Sequence, residues 1–88
     1  MEDKLNRLRK EINKIDKDVF RLLKKRLNIA IDIWKIRKPL GMKIKDPKRE
    51  KEIIEKVIKE SGIDKKFVKR YYRLLFKETR RIQKKSVK

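Results

Sequence analysis

Residues 5–37 read LNRLRKEINKIDKDVFRLLKKRLNIAIDIWKIR. Apolar side chains recur at Leu5, Leu8, Ile12, Ile15, Val19, Leu22, Ile29, Ile33 and Ile36, in steps alternating between three and four, with position 26 as the one gap. This is a heptad seam sustained for about five heptads. Leu23, Ala30 and Trp34 widen it into a core-facing stripe. No Pro or Gly intervenes before Pro39 and Gly41, so the pattern predicts a first helix over 4–37, with Asp3 as its N-cap. At ~1.5 Å per residue it is about 50 Å long.

The remainder divides into two shorter helices. Residues 39–45 form a loop carrying apolar anchors. Asp46-Pro47 then opens a second helix, with Asp46 at the N-cap and Pro47 at the first helical position. Its apolar residues are Ile53, Ile54, Val57 and Ile58, and it stops near Ser61 with Gly62 as the C-terminal signal. Asp64 caps a third helix, whose stripe runs through Phe67, Val68, Tyr71, Tyr72, Leu74, Leu75, Phe76 and Ile82. A basic tail, 84–88, is expected to fray. The chain is therefore read as one all-α domain of three helices, residues 1–88. The two short helices together only match the first in length, so a compact monomer cannot cover the first helix's stripe. They lie in tandem along it, or a second chain covers it. The preferred reading is an obligate homodimer; the alternative is a break near Asn28 in a monomeric bundle.

Composition narrows the chemistry. The 88 residues hold 31 Lys or Arg against 13 Asp or Glu, a net charge of +18, and this excess runs along the whole chain. An anionic partner is implied: nucleic acid, membrane surface or small anion. With neither Cys nor His, the chain lacks thiolate nucleophiles, disulfides and the commonest general base and metal ligand. No apolar run approaches the ~18 residues of a membrane span, and the N-terminus lacks a signal-peptide core. The expectation is a soluble cytoplasmic protein with no metal and no cofactor. Its Lys/Glu-rich, Gln-poor make-up resembles that of heat-adapted proteins.

The site candidates are polar residues placed where the stripes should be apolar. Arg26 fills the gap in the seam, and a buried guanidinium is costly unless it meets an anion. Arg37 follows 11 residues later, three turns plus only ~20°. The two cations thus face the same way, about 16 Å apart along the axis, with Ala30 and Ile33 between them. Arg9 is ~25 Å from Arg26 along its own helix and could join them only from a second chain packed antiparallel. In the second helix, Glu50 lies on the apolar stripe beside Arg49, one turn after Asp46. In the third, Thr79 and Gln83, the only Thr and the only Gln in the chain, stand one turn apart beside the stripe. Guanidiniums, a carboxylate, a hydroxyl and an amide gathered in one helical cavity suit a small polyanion bearing a hydroxyl.

These residues resemble a known family, the all-helical (AroQ-class) chorismate mutases. Leu8-Arg9, Ile12, Ile15-Asp16, Leu22-Leu23, Arg26 and Ala30 are similar to its first-helix signature. Asp46-Pro47-Lys48-Arg49-Glu50 resembles its D-x-x-R-E helix start, and Glu78-Thr79 with Gln83 its closing motif. The resemblance implies an intertwined dimer with two sites, each borrowing one Arg across the interface. It implies the Claisen rearrangement of chorismate to prephenate, which needs no nucleophile, metal or cofactor. By the same resemblance, Arg26 and Thr79 hold one substrate carboxylate, and Arg9 of the other chain holds the enolpyruvyl carboxylate. Gln83 donates to the ether oxygen, Glu50 accepts from the ring hydroxyl, Asp46 assists through its backbone, and Arg49 supports the ring-carboxylate side. Two positions depart from the family pattern: Arg37 stands where the family has a catalytic Lys, and Thr79 where Ser is more usual. The rival readings are an isochorismate–pyruvate lyase on the same fold, a homologue that regulates without turnover, and a basic nucleic-acid-binding protein. The last lacks any recognised motif or regular exposed stacking aromatics.

Overall fold

The computed structural model describes all 88 residues as three helices: α1 (Glu2–Arg37), α2 (Pro47–Ser61) and α3 (Lys65–Ser86). α1 is unbroken through Asn28, so the all-α reading holds and the bundle with a broken first helix does not. Asp3, expected at the cap, lies inside the first turn. Met1 takes the cap position, and Glu2 and Asp3 place two carboxylates at the positive end of the helix dipole. The loop expected from residue 39 begins as a single 3₁₀ turn over Lys38–Leu40. It ends at Gly41, whose φ of 72° is the left-handed conformation glycine tolerates best. Of the apolar residues near this turn, Ile44 is half-buried, whereas Leu40 and Met42 remain exposed.

The other boundaries have local causes. The Asp46 carboxylate accepts from the Arg49 N–H, capping α2. Gly62, at φ 68°, ends it in a left-handed turn. The Asp64 carboxylate accepts from the Phe67 N–H and starts α3. Beyond Gln83 the helix continues to Ser86. Lys84 and Lys85 in its last turn complement the negative end of the dipole. Lys38 Nζ also donates to the Val87 carbonyl at 3.2 Å, tying the end of α3 to the end of α1.

The molecule is a thin plate, 59 × 27 × 16 Å. Only seven residues are buried: Ala30 and Trp34 of α1, and Val68, Leu75, Phe76, Thr79 and Gln83 of α3. α3 lies against the last third of α1, and α2 packs on α3. Along α1, Leu5, Leu8, Ile12, Ile15, Val19 and Leu22 are each about half exposed. Only α3 reaches α1, on the flank of the stripe at Ala30 and Trp34, and the seam itself stands without a cover, Ile29, Ile33 and Ile36 being as exposed as the residues before them.

With a core this small, each cap counts. Asp64→Ala removes the bond to the first turn of α3 and should lower the unfolding free energy by ~1 kcal/mol. Urea denaturation would show this as an earlier midpoint with unchanged slope.

Candidate active site

A cleft of about 290 Å³ opens where the C-terminal half of α1, the start of α2 and the end of α3 converge. That is just below the range for small-molecule sites, ~300–1,000 Å³. Its walls include Arg26, Ala30, Ile33 and Arg37 from α1, Asp46, Arg49 and Glu50 around the start of α2, and Thr79 and Gln83 from α3. Every site residue expected from the sequence thus lines one cleft, except Arg9. Arg9 is exposed on the uncovered part of α1, as its distance along the helix requires.

Each side chain is positioned by a specific contact. The Gln83 amide is buried and donates through Nε2 to the Ala30 carbonyl at 2.8 Å. A carbonyl has two lone pairs, so Ala30 can accept this bond beside its helical one. The amide is fixed with its NH₂ group against α1, and its second N–H is left for a ligand. Thr79 is also buried, and its hydroxyl donates to the Leu75 carbonyl one turn back at 2.7 Å. In this orientation the hydroxyl offers a ligand only lone pairs. To donate to a carboxylate it must rotate off Leu75, a feature the sequence did not reveal.

Arg26 is half-buried, its guanidinium carbon 6.0 Å from the centre of the Phe76 ring. No carboxylate pairs with it. A guanidinium against an aromatic face keeps its charge and its edge donors free for an anion. The seam's polar gap is therefore a cation held ready at the cleft wall.

Arg37 is committed differently. Its Nη2 donates to the Lys43 carbonyl at 2.7 Å and its Nη1 to the Ile44 carbonyl at 3.5 Å. Asp46 Oδ2 lies 3.8 Å from Nη2. The side chain bordering the cleft thus also fastens the loop between α1 and α2. Asp46 links the two, with Oδ1 capping α2 and Oδ2 facing Arg37. Lys38, one residue on, is directed away to Val87. Arg49 reaches only the rim, mostly exposed, with Glu52 at 3.7 Å.

Glu50 holds the residue that sequence reasoning missed. Its Oε2 accepts from Arg80 Nη1 at 2.6 Å, with both side chains largely buried. Arg80 lies one turn beyond Phe76 and three residues before Gln83, so the helical spacing that singled out Thr79 and Gln83 also puts Arg80 near that face. In a chain with 31 basic residues, one more Arg carried no signal. Glu78, part of the closing motif, forms an ion pair with Arg81. The hydrogen bond from Arg81 holds the Glu78 carboxyl below its ordinary range. With these members, the charged lining of the cleft sums to four cations (Arg26, Arg37, Arg49, Arg80) against two anions (Asp46, Glu50), a net +2.

No group of His, Cys, Asp and Glu is arranged to hold a metal ion, and no helix is long and apolar enough to cross a membrane. Comparison with known proteins agrees with the resemblance in the motifs. The family described as chorismate mutase type II matches residues 8–84. A protein of Methanocaldococcus jannaschii named chorismate mutase is 34% identical over 87 residues, covering 96% of this chain and 88% of its own. A bifunctional chorismate mutase/prephenate dehydratase of Aquifex aeolicus is 40% identical over 57 residues, 65% of this chain but 16% of its own length. One of the same name from Buchnera aphidicola is 32% identical over 80 residues, 88% of this chain and 21% of its own. This chain thus spans most of the Methanocaldococcus jannaschii relative and only a small part of the bifunctional ones. No solved structure matches it significantly. With the match spanning all three helices and every wall of the cleft, the chain belongs to the chorismate mutase type II family.

Proposed function

We propose that the cleft binds chorismate and rearranges it to prephenate. The observation that carries this reading is the charge balance: a net +2 on three helices, complementary to a dicarboxylate. The reaction breaks the ether C–O bond and forms a C–C bond within one molecule. It requires no acid, base or nucleophile, only a folded reactive conformer and stabilisation of the charge that develops on the ether oxygen. A chain without His or Cys can supply both.

The roles follow from the free hydrogen-bonding capacity of each side chain. Arg26 holds one carboxylate, joined by Thr79 once its hydroxyl turns from Leu75. Glu50 accepts from the ring hydroxyl through Oε1, since Oε2 is taken by Arg80. The second N–H of Gln83 and the guanidinium of Arg37 meet the ether oxygen. Arg49 supports the carboxylate at the rim, and the loop backbone at Asp46 sets the position of Glu50.

The partner is a second copy of the chain. The seam from Leu5 to Leu22 is apolar, uncovered and regular, and a coiled-coil-like face of that length is satisfied by another helix. Antiparallel packing of two such helices brings Arg9 of one chain toward the cleft of the other and adds a second unpaired cation beside Arg26.

Four measurements test this. The unaltered protein should consume chorismate and form prephenate without added metal or cofactor. Arg26→Ala should lower kcat/KM by ~10²–10³-fold, the usual cost of one charge-stabilising donor, with helix content retained; full activity in that variant would overturn the assignment. Arg9→Ala and Arg26→Ala, each inactive alone, should regain about one quarter of the unaltered activity when mixed equally, because half the dimers then carry one intact site. No recovery on mixing would exclude a shared site. Arg37→Lys, which replaces a forked donor by a single ammonium, should loosen residues 42–46. NMR order parameters there should fall from ~0.85 toward 0.6, with a rise in KM larger than the fall in kcat.

A further inference from the structure

A second space lies on the other side of Glu50. Between α2 and α3 runs a groove of about 610 Å³, bordered by Lys45, Lys65, Lys69 and Arg73 with Ile54 and Ile58. Glu50, Phe76 and Arg80 line both this groove and the cleft, so they form the wall between them. Arg80 is the one cation bordering both spaces.

This placement creates a problem for Glu50 and its solution. The carboxylate is the one acidic side chain shared by a cleft built for a dianion and a groove rimmed by cations. Binding a dicarboxylate repels it, and Lys45, Lys69 and Arg73 attract it outward. Left unpaired, Glu50 is driven from the cleft by both effects. The 2.6 Å bond to Arg80 opposes this. It neutralises the carboxylate locally, and a charge-assisted bond between two largely buried side chains is both strong and directional. It also uses only Oε2.

We infer that Arg80 is a positioning residue: it holds Glu50 on the cleft side of the wall, neutralised toward a dianionic substrate and with Oε1 presented to the substrate hydroxyl. The inference rests on the reading of Glu50 as the hydroxyl acceptor. Arg80 itself need not touch substrate. Removing one partner of such a pair leaves the other charge uncompensated, so losing Arg80 is worse for substrate binding than losing both.

The test is a double-mutant cycle read in steady-state kinetics with chorismate on the full-length protein, with circular dichroism and thermal melts alongside. Arg80→Met should raise KM by ~10-fold and change kcat by less than ~3-fold, since a hydroxyl contact is made equally in ground and transition states. Arg80→Lys should recover most of the loss. Glu50→Gln should raise KM in the unaltered background, yet in the Arg80→Met background it should leave KM unchanged or lower it. If the two substitutions multiply, Arg80 acts on the substrate independently of Glu50 and the inference fails. A lower melting temperature with unchanged KM and kcat would make the pair structural, and the inference fails again. Should Arg80→Met not fold, Arg80→Gln and Arg80→Lys carry the same comparison. If the unaltered protein turned over no chorismate at all, the reading of the site would fall first, and this inference with it.

Discussion

The hydrogen bond from Gln83 to the Ala30 carbonyl fixes the relation between α1 and α3 on which the cleft depends. A side chain that bonds to the backbone of another helix sets rotation and register as well as distance. Ala30 permits it, because only a small side chain lets α3 approach the helix backbone at that point. Around this contact gather Trp34, Leu75, Phe76 and Thr79, which with Ala30 and Gln83 make up nearly all of what the chain buries. The core and the cleft therefore share Ala30, Phe76, Thr79 and Gln83. Substitutions at Thr79 or Gln83 touch both the packing and the cleft wall.

Against this small core stands a net charge of +18, and the structure distributes it in two ways. Much of it lies on exposed helix faces, where pairs such as Arg21 with Asp18 and Lys35 with Asp32 sit one turn apart in solvent and contribute little to stability. The few cations at the cleft are arranged instead by what they touch: Phe76 for Arg26, loop carbonyls for Arg37, Glu50 for Arg80. Only Arg26 reaches the interior of the cleft with no anion or carbonyl of the chain engaging it. The wider positive field favours the arrival of an anionic substrate, and the contacts decide what it meets.

The sequence reveals whatever is local or periodic. The seam on α1, the caps at Asp46 and Asp64, the left-handed turn at Gly62 and the common face of Arg26 and Arg37 all follow from spacing within one segment. Arg80 was not legible, because its meaning depends on how α2 and α3 are aligned, and no spacing within α3 contains that. Likewise, the proton of Thr79 is spent on Leu75, a choice between two acceptors that only the packed environment settles. At Asp3 local reasoning missed by two residues, because a carboxylate serves a helix start both as a cap and within the first turn.

Position 37 shows how these levels bear on one another. A Lys there would bring one strongly hydrated charge on a flexible stem. The Arg present brings five donors in a rigid plane, and two of its nitrogens already hold the Lys43 and Ile44 carbonyls. Those carbonyls belong to the loop that delivers Asp46, and Asp46 caps the helix that carries Glu50. Any change at residue 37 is therefore transmitted through loop and cap to the carboxylate across the cleft. Exchanging Arg for Lys removes the fork that holds both carbonyls, and with it the geometry that the loop passes on to Glu50. The guanidinium fastens the loop and borders the cleft in one side chain.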